Sequence, residues 1–273
     1  MIHLLTEPLT YEFMRRALLA AALAGAITSL VGTYVVLRGM AFLGGGLSHA
    51  VLPGAAIAYV LGHPTSLGAF MAGLLTAAGI GRIGRHPDLK QDTAIGILMS
   101  GMFALGIAII STIKSYSVDL ANFLFGNVLA VSTADIWSML GIGVLVLLAL
   151  WLFNRRWVIL SFDPTYAAAV GLPVEALHYG LMVLLSLVIV VSMKVVGVIL
   201  VLAMLVTPPA TARLLSQRLH TMMWLSALLG SLAAVGGLYI SYYLNIASGA
   251  AMVLVSVVVF FAVFLAASRR SHG

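Results

Sequence analysis

A chain of 273 residues with 62% apolar side chains, 8% charged ones and a mean hydropathy of +1.14 cannot clothe a water-soluble surface, which needs about a quarter charged residues. The net charge of +6 and pI near 9.8 do not mark a nucleic-acid partner, because the positive residues lie between long uncharged runs and fit membrane topology instead. The absence of cysteine excludes a disulfide framework, a thiolate metal site and a thiol redox centre.

In chain order the uncharged runs are 17–37, 39–81, 93–113, 136–154, 176–193, 195–212 and 219–268. A helix needs roughly 20 apolar residues to cross the hydrocarbon core. Five runs fit one crossing each. The runs 39–81 and 219–268 fit two, with polar breaks near 62–66 and 245–248. The expected fold is therefore all-α and integral to the membrane, with about nine spans (eight to nine) in one domain over residues 1–273. Arg15 and Arg16 precede the first run as in a secretory signal. With no small-residue cleavage site and further spans following, it reads as a retained helix.

Nine alternating spans place Arg38, Arg82, Arg85, Lys90, Arg155, Arg156, Arg213, Arg218, Arg269 and Arg270 on one side. Arg15, Arg16, Lys114 and Lys194 fall on the other. This asymmetry puts the C-terminus and the 154–176 loop in the cytoplasm and the N-terminus outside. Reading Leu9 to Arg16 as a short interfacial helix leaves an eight-span arrangement, with the N-terminus inside, as the alternative.

Residues 38–54 hold three consecutive glycines (Gly44, Gly45, Gly46) and then Pro53-Gly54, a pattern that disfavours a continuous regular helix. Broken backbone at membrane depth lines wet cavities and substrate sites, while glycines also serve close helix packing. His49 stands in this stretch. An ionisable residue inside a span is a functional candidate, and imidazole ligates zinc, iron and related ions. A neutral histidine donating to a carbonyl is the structural alternative.

The connection 161–173 carries complete helix punctuation. Asp163 suits an N-cap, Pro164 the first helical position, Ala167, Ala168 and Ala169 the interior and Gly171 a left-handed C-terminal cap, with Pro173 preventing continuation. It predicts a two-turn helix outside the bilayer. It is either a plain capped loop or a coupling helix whose small side chains enter a groove on an energising partner. No Gly-x-x-x-x-Gly-Lys-Ser/Thr phosphate loop is present, so ATP, if it drives this chain, binds another subunit.

Asn127, Ser132 and Thr133 read as a solvated loop or docking surface. Thr207-Pro208-Pro209 reads as the kinked end of a span. His63, His86, His178, His220 and His272 fall at loops or span ends. The methionines read as packing residues, and Trp137, Trp151, Trp157 and Trp224 as an aromatic belt.

Six blocks in order resemble the permease subunits of bacterial manganese/zinc ABC importers. They are 35–44 (Val-Val-Leu-Arg-Gly-Met-Ala-Phe-Leu-Gly) with 47–54 (Leu-Ser-His-Ala-Val-Leu-Pro-Gly), 92–97 (Asp-Thr-Ala-Ile-Gly-Ile), 123–131 (Phe-Leu-Phe-Gly-Asn-Val-Leu-Ala-Val), 162–164 (Phe-Asp-Pro) with 171–174 (Gly-Leu-Pro-Val), 196–201 (Val-Gly-Val-Ile-Leu-Val) and 208–212 (Pro-Pro-Ala-Thr-Ala). The resemblance implies a type II ABC importer permease fold in the bacterial inner membrane. It implies a homodimer sharing a translocation path, two cytoplasmic ATP-binding subunits and an extracytoplasmic metal-binding protein. The chain would then be no enzyme itself and hold no cofactor beyond the transported divalent ion. Asp163, Pro164, Thr165, Tyr166, Ala167, Ala168 and Gly171 would form the coupling helix, and His49 would face the path. Many manganese-importing relatives carry aspartate four residues before this histidine, where Gly45 stands here. Losing a carboxylate weakens preference for manganese more than for zinc, which leaves those two ions together and iron behind them.

A proton-coupled carrier generally needs carboxylates within the membrane, and the seven runs contain none, which counts against ion-coupled exchange; an ATP-independent metal channel or secondary transporter stands as the alternative. An intramembrane enzyme finds no support. There is no His-Glu-x-x-His pair, and Ser48 and His49 are neighbours on different helical faces.

Overall fold

A computed structural model describes residues 6–84, 86, 88–89, 91–112, 126 and 128–270, the side chains of Gln91 and Arg270 excepted. Residues 123–125, Asn127, Arg85, Lys90, Lys114 and His272 lie outside the described residues. Every regular element among those described is a helix, and eight helical stretches are long and apolar enough to cross a membrane. They are α1 (Glu12–Leu37), the pair α2 (Ala41–Ala50) and α3 (Leu52–Val60), α4 (Thr65–Ile83), α5 (Gln91–Ser111), α6 (Thr133–Phe162), α8 (Val174–Leu215), α9 (Leu219–Leu244) and α10 (Ser248–Arg270). The six-residue α7 (Pro164–Ala169) stands between α6 and α8.

The difference between eight helices and nine expected spans lies in α8. Its 42 residues hold both the 176–193 and 195–212 runs. At 1.5 Å per residue it would reach roughly 63 Å, about twice the hydrocarbon thickness. Gly197, at φ 79° and ψ 162°, interrupts the helical backbone, so stretches of near-crossing length lie on either side of it. Gly126 is seated on this break. A Cβ there would come within 2.4 Å of the Val196 carbonyl carbon. The ammonium of Lys194 lies 3.8 Å from the Asp135 carboxylate in the first turn of α6.

At the N-terminus, residues 9–16 do not form one interfacial helix. Pro8–Thr10 is a single 3₁₀ turn closed by Tyr11 N–H on the Pro8 carbonyl, Tyr11 is extended, and α1 begins at Glu12. Arg16 is paired with Glu12 one turn earlier, which offsets part of the positive charge on that end.

The chain forms two compact units. The first comprises Met1–Thr33, Ala121–Val144 and Ser192–Gly273. Its helices meet through small residues, as membrane helices do when no hydrophobic driving force separates them from lipid. Gly25 on α1 faces Gly230 on α9 so closely that a Cβ on the former would come within 2.4 Å of the Gly230 carbonyl oxygen. Ser226 donates to the Ser29 carbonyl at 2.8 Å and Ser231 to that of Ala22 at 3.0 Å.

Within this unit α8 continues through Thr207-Pro208-Pro209 to Leu215, so those residues do not end the span. A proline inside a helix withholds the N–H that the carbonyl four residues earlier requires. Pro208 and Pro209 therefore leave the carbonyls of Met204 and Leu205. Ser29 Oγ donates to Met204 at 3.0 Å, and Gly32 lies against Leu205 so closely that a Cβ would come within 2.2 Å of its oxygen.

The second unit comprises Tyr34–Leu120 and Leu145–Val191. The α2/α3 stretch packs on α4 and α5, with Gly54 and Gly68 in backbone contact. Tyr34 is fully buried, donates to Asn154 Oδ1 at 2.6 Å and meets the Trp157 ring edge-on. Trp157 belongs to this core and not to an aromatic belt, because its indole N–H is consumed by the Leu177 carbonyl at 3.0 Å. Trp137, Trp151 and Trp224 do face outward. Met14, Met139, Met182 and Met252 are buried packing residues.

Candidate functional site: a lone imidazole and a self-capped helix

His49 lies near the end of α2, and that helix runs regularly through Gly44, Gly45 and Gly46. The glycine run does not break the helix as its composition predicts. Each glycine costs about 1 kcal/mol relative to alanine, and close packing offsets that cost. Seven of the ten α2 residues are buried, and a Cβ at Gly46 would come within 2.8 Å of the Ile95 side chain. The interruption falls at Val51 instead, where Pro53 has no N–H to offer the His49 carbonyl. Ser48 is buried and spends its hydroxyl on the Gly44 carbonyl at 2.8 Å, which removes it from any nucleophile role with His49.

The His49 ring packs edge-on against Phe103 at 5.1 Å between centroids, and its Nδ1 is buried without a hydrogen-bond partner among the described residues. A buried polar atom left unpaired costs about 1–3 kcal/mol and calls for a reason. Gly45 is buried one helical turn before it, on the same face. Among the described residues no three His, Asp or Glu side chains converge on one point, so His49 has no ready-made metal cage around it.

The second predicted feature is built as its residues require. Asp163 is extended and its carboxylate accepts the Tyr166 N–H at 2.8 Å, with Pro164 at the first helical position. At the other end Gly171 takes φ 78°, Leu172 N–H reaches the Ala167 carbonyl at 3.0 Å, and Gly171 N–H reaches that of Ala168 at 3.0 Å. This is a complete Schellman closure. The alanines are not equivalent. Ala167 is fully buried, whereas Thr165, Ala168 and Ala169 are exposed. The outward apolar side chains are Phe162, Tyr166 and Val170, each at least half exposed.

Behind α7 a cleft of about 370 Å³ is lined by Arg38, Gly81, Gly84, Pro164, Glu175 and His178. Arg38 Nη2 lies 2.9 Å from His178 Nδ1, while Arg38 Nη1 is buried with no hydrogen-bond partner among the described residues. A guanidinium has only donors, so His178 accepts here and carries its proton on Nε2. His178 is thus joined to the residue that leads into α2.

Residues 10–267 match the model of the ABC 3 transport family. The chain belongs to the ABC 3 transport family. It is 47% identical over 262 residues to the manganese transport system membrane protein MntC of Halalkalibacterium halodurans, covering 96% of this chain and 90% of that protein. It is 38% identical over 257 residues to the chelated iron transport system membrane protein YfeD of Yersinia pestis, covering 94% and 86%. Among solved structures it resembles a chain of PsaBC from Streptococcus pneumoniae in complex with Fab, with a TM-score of 0.88 and 43% identity over 97% of this chain and 95% of that one.

The remaining candidates of this ABC 3 family chain are dispersed. Ser132 and Asp135 form a reciprocal cap at the start of α6. His63 is exposed, His86 pairs loosely with Asp88, and His220 accepts from Trp224 within one exposed turn. Sequence reasoning passed over Arg38, and also Thr76 and Ser186, whose buried hydroxyls have no partner among the described residues. The signal for Arg38 was present: it is the sole charge between two apolar runs and sits inside the first family-like block.

Proposed function

We propose that this chain is the membrane permease of an ATP-driven importer of divalent metal ions. Residues 1–273 act as one permease domain and form the path together with a second copy. Two cytoplasmic ATP-binding subunits and an extracytoplasmic metal-binding protein complete the machine. Asp163, Pro164, Thr165, Tyr166, Ala167, Ala168 and Gly171 form the coupling helix, with Ala167 anchoring it and Tyr166, Ala168 and Val170 meeting the ATPase. The observation that carries this reading is α7 itself, a short helix closed at both ends by its own residues and exposed between two long apolar helices. A rigid projection of that kind transmits force without unwinding.

Nine crossings, with the break at Gly197 counted as a turn, put α7 and the C-terminus in the cytoplasm of a bacterium bounded by an inner membrane. The Lys194–Asp135 pair supports this count, because it sets the start of α6 and the break in α8 at one level. His49 is the path ligand, its Nδ1, unpaired among the described residues, held ready for a passing ion. One imidazole with no fixed cage among the described residues suits transit better than storage, since a site that must release its ion cannot bind too tightly. Manganese is the first ion to test, from the names of the relatives. Zinc follows from the imidazole without a carboxylate at Gly45, then iron.

Reconstitution with the cognate ATPase and binding protein, measuring ATP hydrolysis and uptake ion by ion, tests the proposal. Metal-stimulated hydrolysis coupled to uptake is expected. Full-rate metal flux through the chain alone, without nucleotide, would instead establish an ATP-independent channel.

A further inference from the structure

Outside the features already assigned, α6 and α8 leave between them a groove of about 360 Å³ in the second unit. One wall is Leu145, Ala149 and Phe153 of α6, spaced by four so that they share a face. The other is Gly180, Val183 and Leu187 of α8, and Trp157 closes the floor. Trp157 cannot swing away, because its ring nitrogen is bonded to the Leu177 carbonyl. Gly180 creates much of the space, since a Cβ there would meet only Trp157, at 3.9 Å.

The groove is apolar except at one end, where Arg156 lines its mouth. Arg156 stacks over Phe153 at 5.8 Å and, among the described residues, has no carboxylate partner. Arg155 is exposed beside it. From Leu145 to Arg156 the groove runs about 16 Å at 1.5 Å per residue, close to half of the roughly 30 Å hydrocarbon core. Its length is therefore that of one leaflet, with a free cation where the headgroups begin.

We infer that this groove is a binding site for a single anionic phospholipid, one acyl chain lying on Trp157 and Gly180 and the phosphate paired with Arg156. A second copy of the chain is a poorer occupant, because it would bury an unpaired guanidinium at an apolar seam. A zwitterionic lipid would fill the groove without answering the charge. The inference needs only that α6 and α8 span the membrane, and does not depend on which ion is carried.

The test uses the full-length chain in detergent, offered phosphatidylglycerol or phosphatidylcholine, with bound lipid counted by native mass spectrometry and folding checked by thermal unfolding. Phosphatidylglycerol should be retained about fivefold or more over phosphatidylcholine, the preference expected of one interfacial arginine. Arg156→Gln, at an exposed position, should lose that preference while remaining folded. Gly180→Leu should lower retention of both lipids by filling the groove. Equal retention of the two lipids by the unmodified chain would overturn the inference, as would an unchanged preference in Arg156→Gln. So would efficient disulfide crosslinking of two copies through Val183→Cys in membranes.

Discussion

Ser29 donates its hydroxyl to the Met204 carbonyl at 3.0 Å, and Met204 is the residue whose helical donor Pro208 removes. One polar atom on α1 thereby repairs a defect in α8. Ser29→Ala should destabilise the purified chain by about 1 kcal/mol, within the range measured for hydrogen bonds between membrane helices. Pro208→Ala restores an N–H for Met204, so it should largely cancel the loss in the double variant. Thermal unfolding in detergent reads the cycle, and strictly additive effects would count against the assigned role.

Replacing His49 by alanine should cut metal uptake by about tenfold or more while the transporter remains assembled, because the ring contributes little beyond its contact with Phe103. Uptake at the normal rate would remove His49 from the path. Gly45→Asp places a carboxylate one turn from the imidazole and should shift preference from zinc toward manganese, seen as a change in the ratio of ion-stimulated ATPase rates.

Neighbouring alanines of α7 should respond in opposite ways. Ala168→Trp, at an exposed position, should leave the chain folded and weaken ATPase binding in a pull-down. Ala167→Trp, at a fully buried one, should lower the unfolding temperature itself. Asp163→Ala should cost about 1 kcal/mol of local helix stability through the lost cap. An intact ATPase complex with Ala168→Trp would dismiss α7 as the docking element.

The Arg38–His178 contact joins the start of α8, just beyond α7, to the turn that leads into the His49 helix. His178→Leu removes the acceptor and leaves a partly buried guanidinium unpaired, whereas His178→Gln retains an acceptor. If the contact carries motion between these elements, His178→Leu should hydrolyse ATP without matching uptake and His178→Gln should recover coupling. Equal loss of hydrolysis and uptake in both variants would point to a purely structural contact.

The eight apolar helices were legible because crossing a bilayer depends on run length and hydropathy, which are properties of consecutive residues. The caps of α7 were legible for the same reason, since Asp163, Tyr166, Ala167 and Leu172 all lie within one short stretch. Local reasoning failed where a distant partner decided the outcome. Gly44 to Gly46 stay helical in a buried stretch where α5 meets Gly46 through Ile95, and Pro208 and Pro209 do not end α8 because residues of α1 cover the carbonyls they leave. Ser29 and Met204 are 175 positions apart, and Arg38 and His178 are 140 apart. Composition dictated that this chain enters the membrane and nearly how often, whereas only the packed helices determined which glycines, prolines and histidines are satisfied, because the groups that satisfy them arrive from elsewhere in the chain.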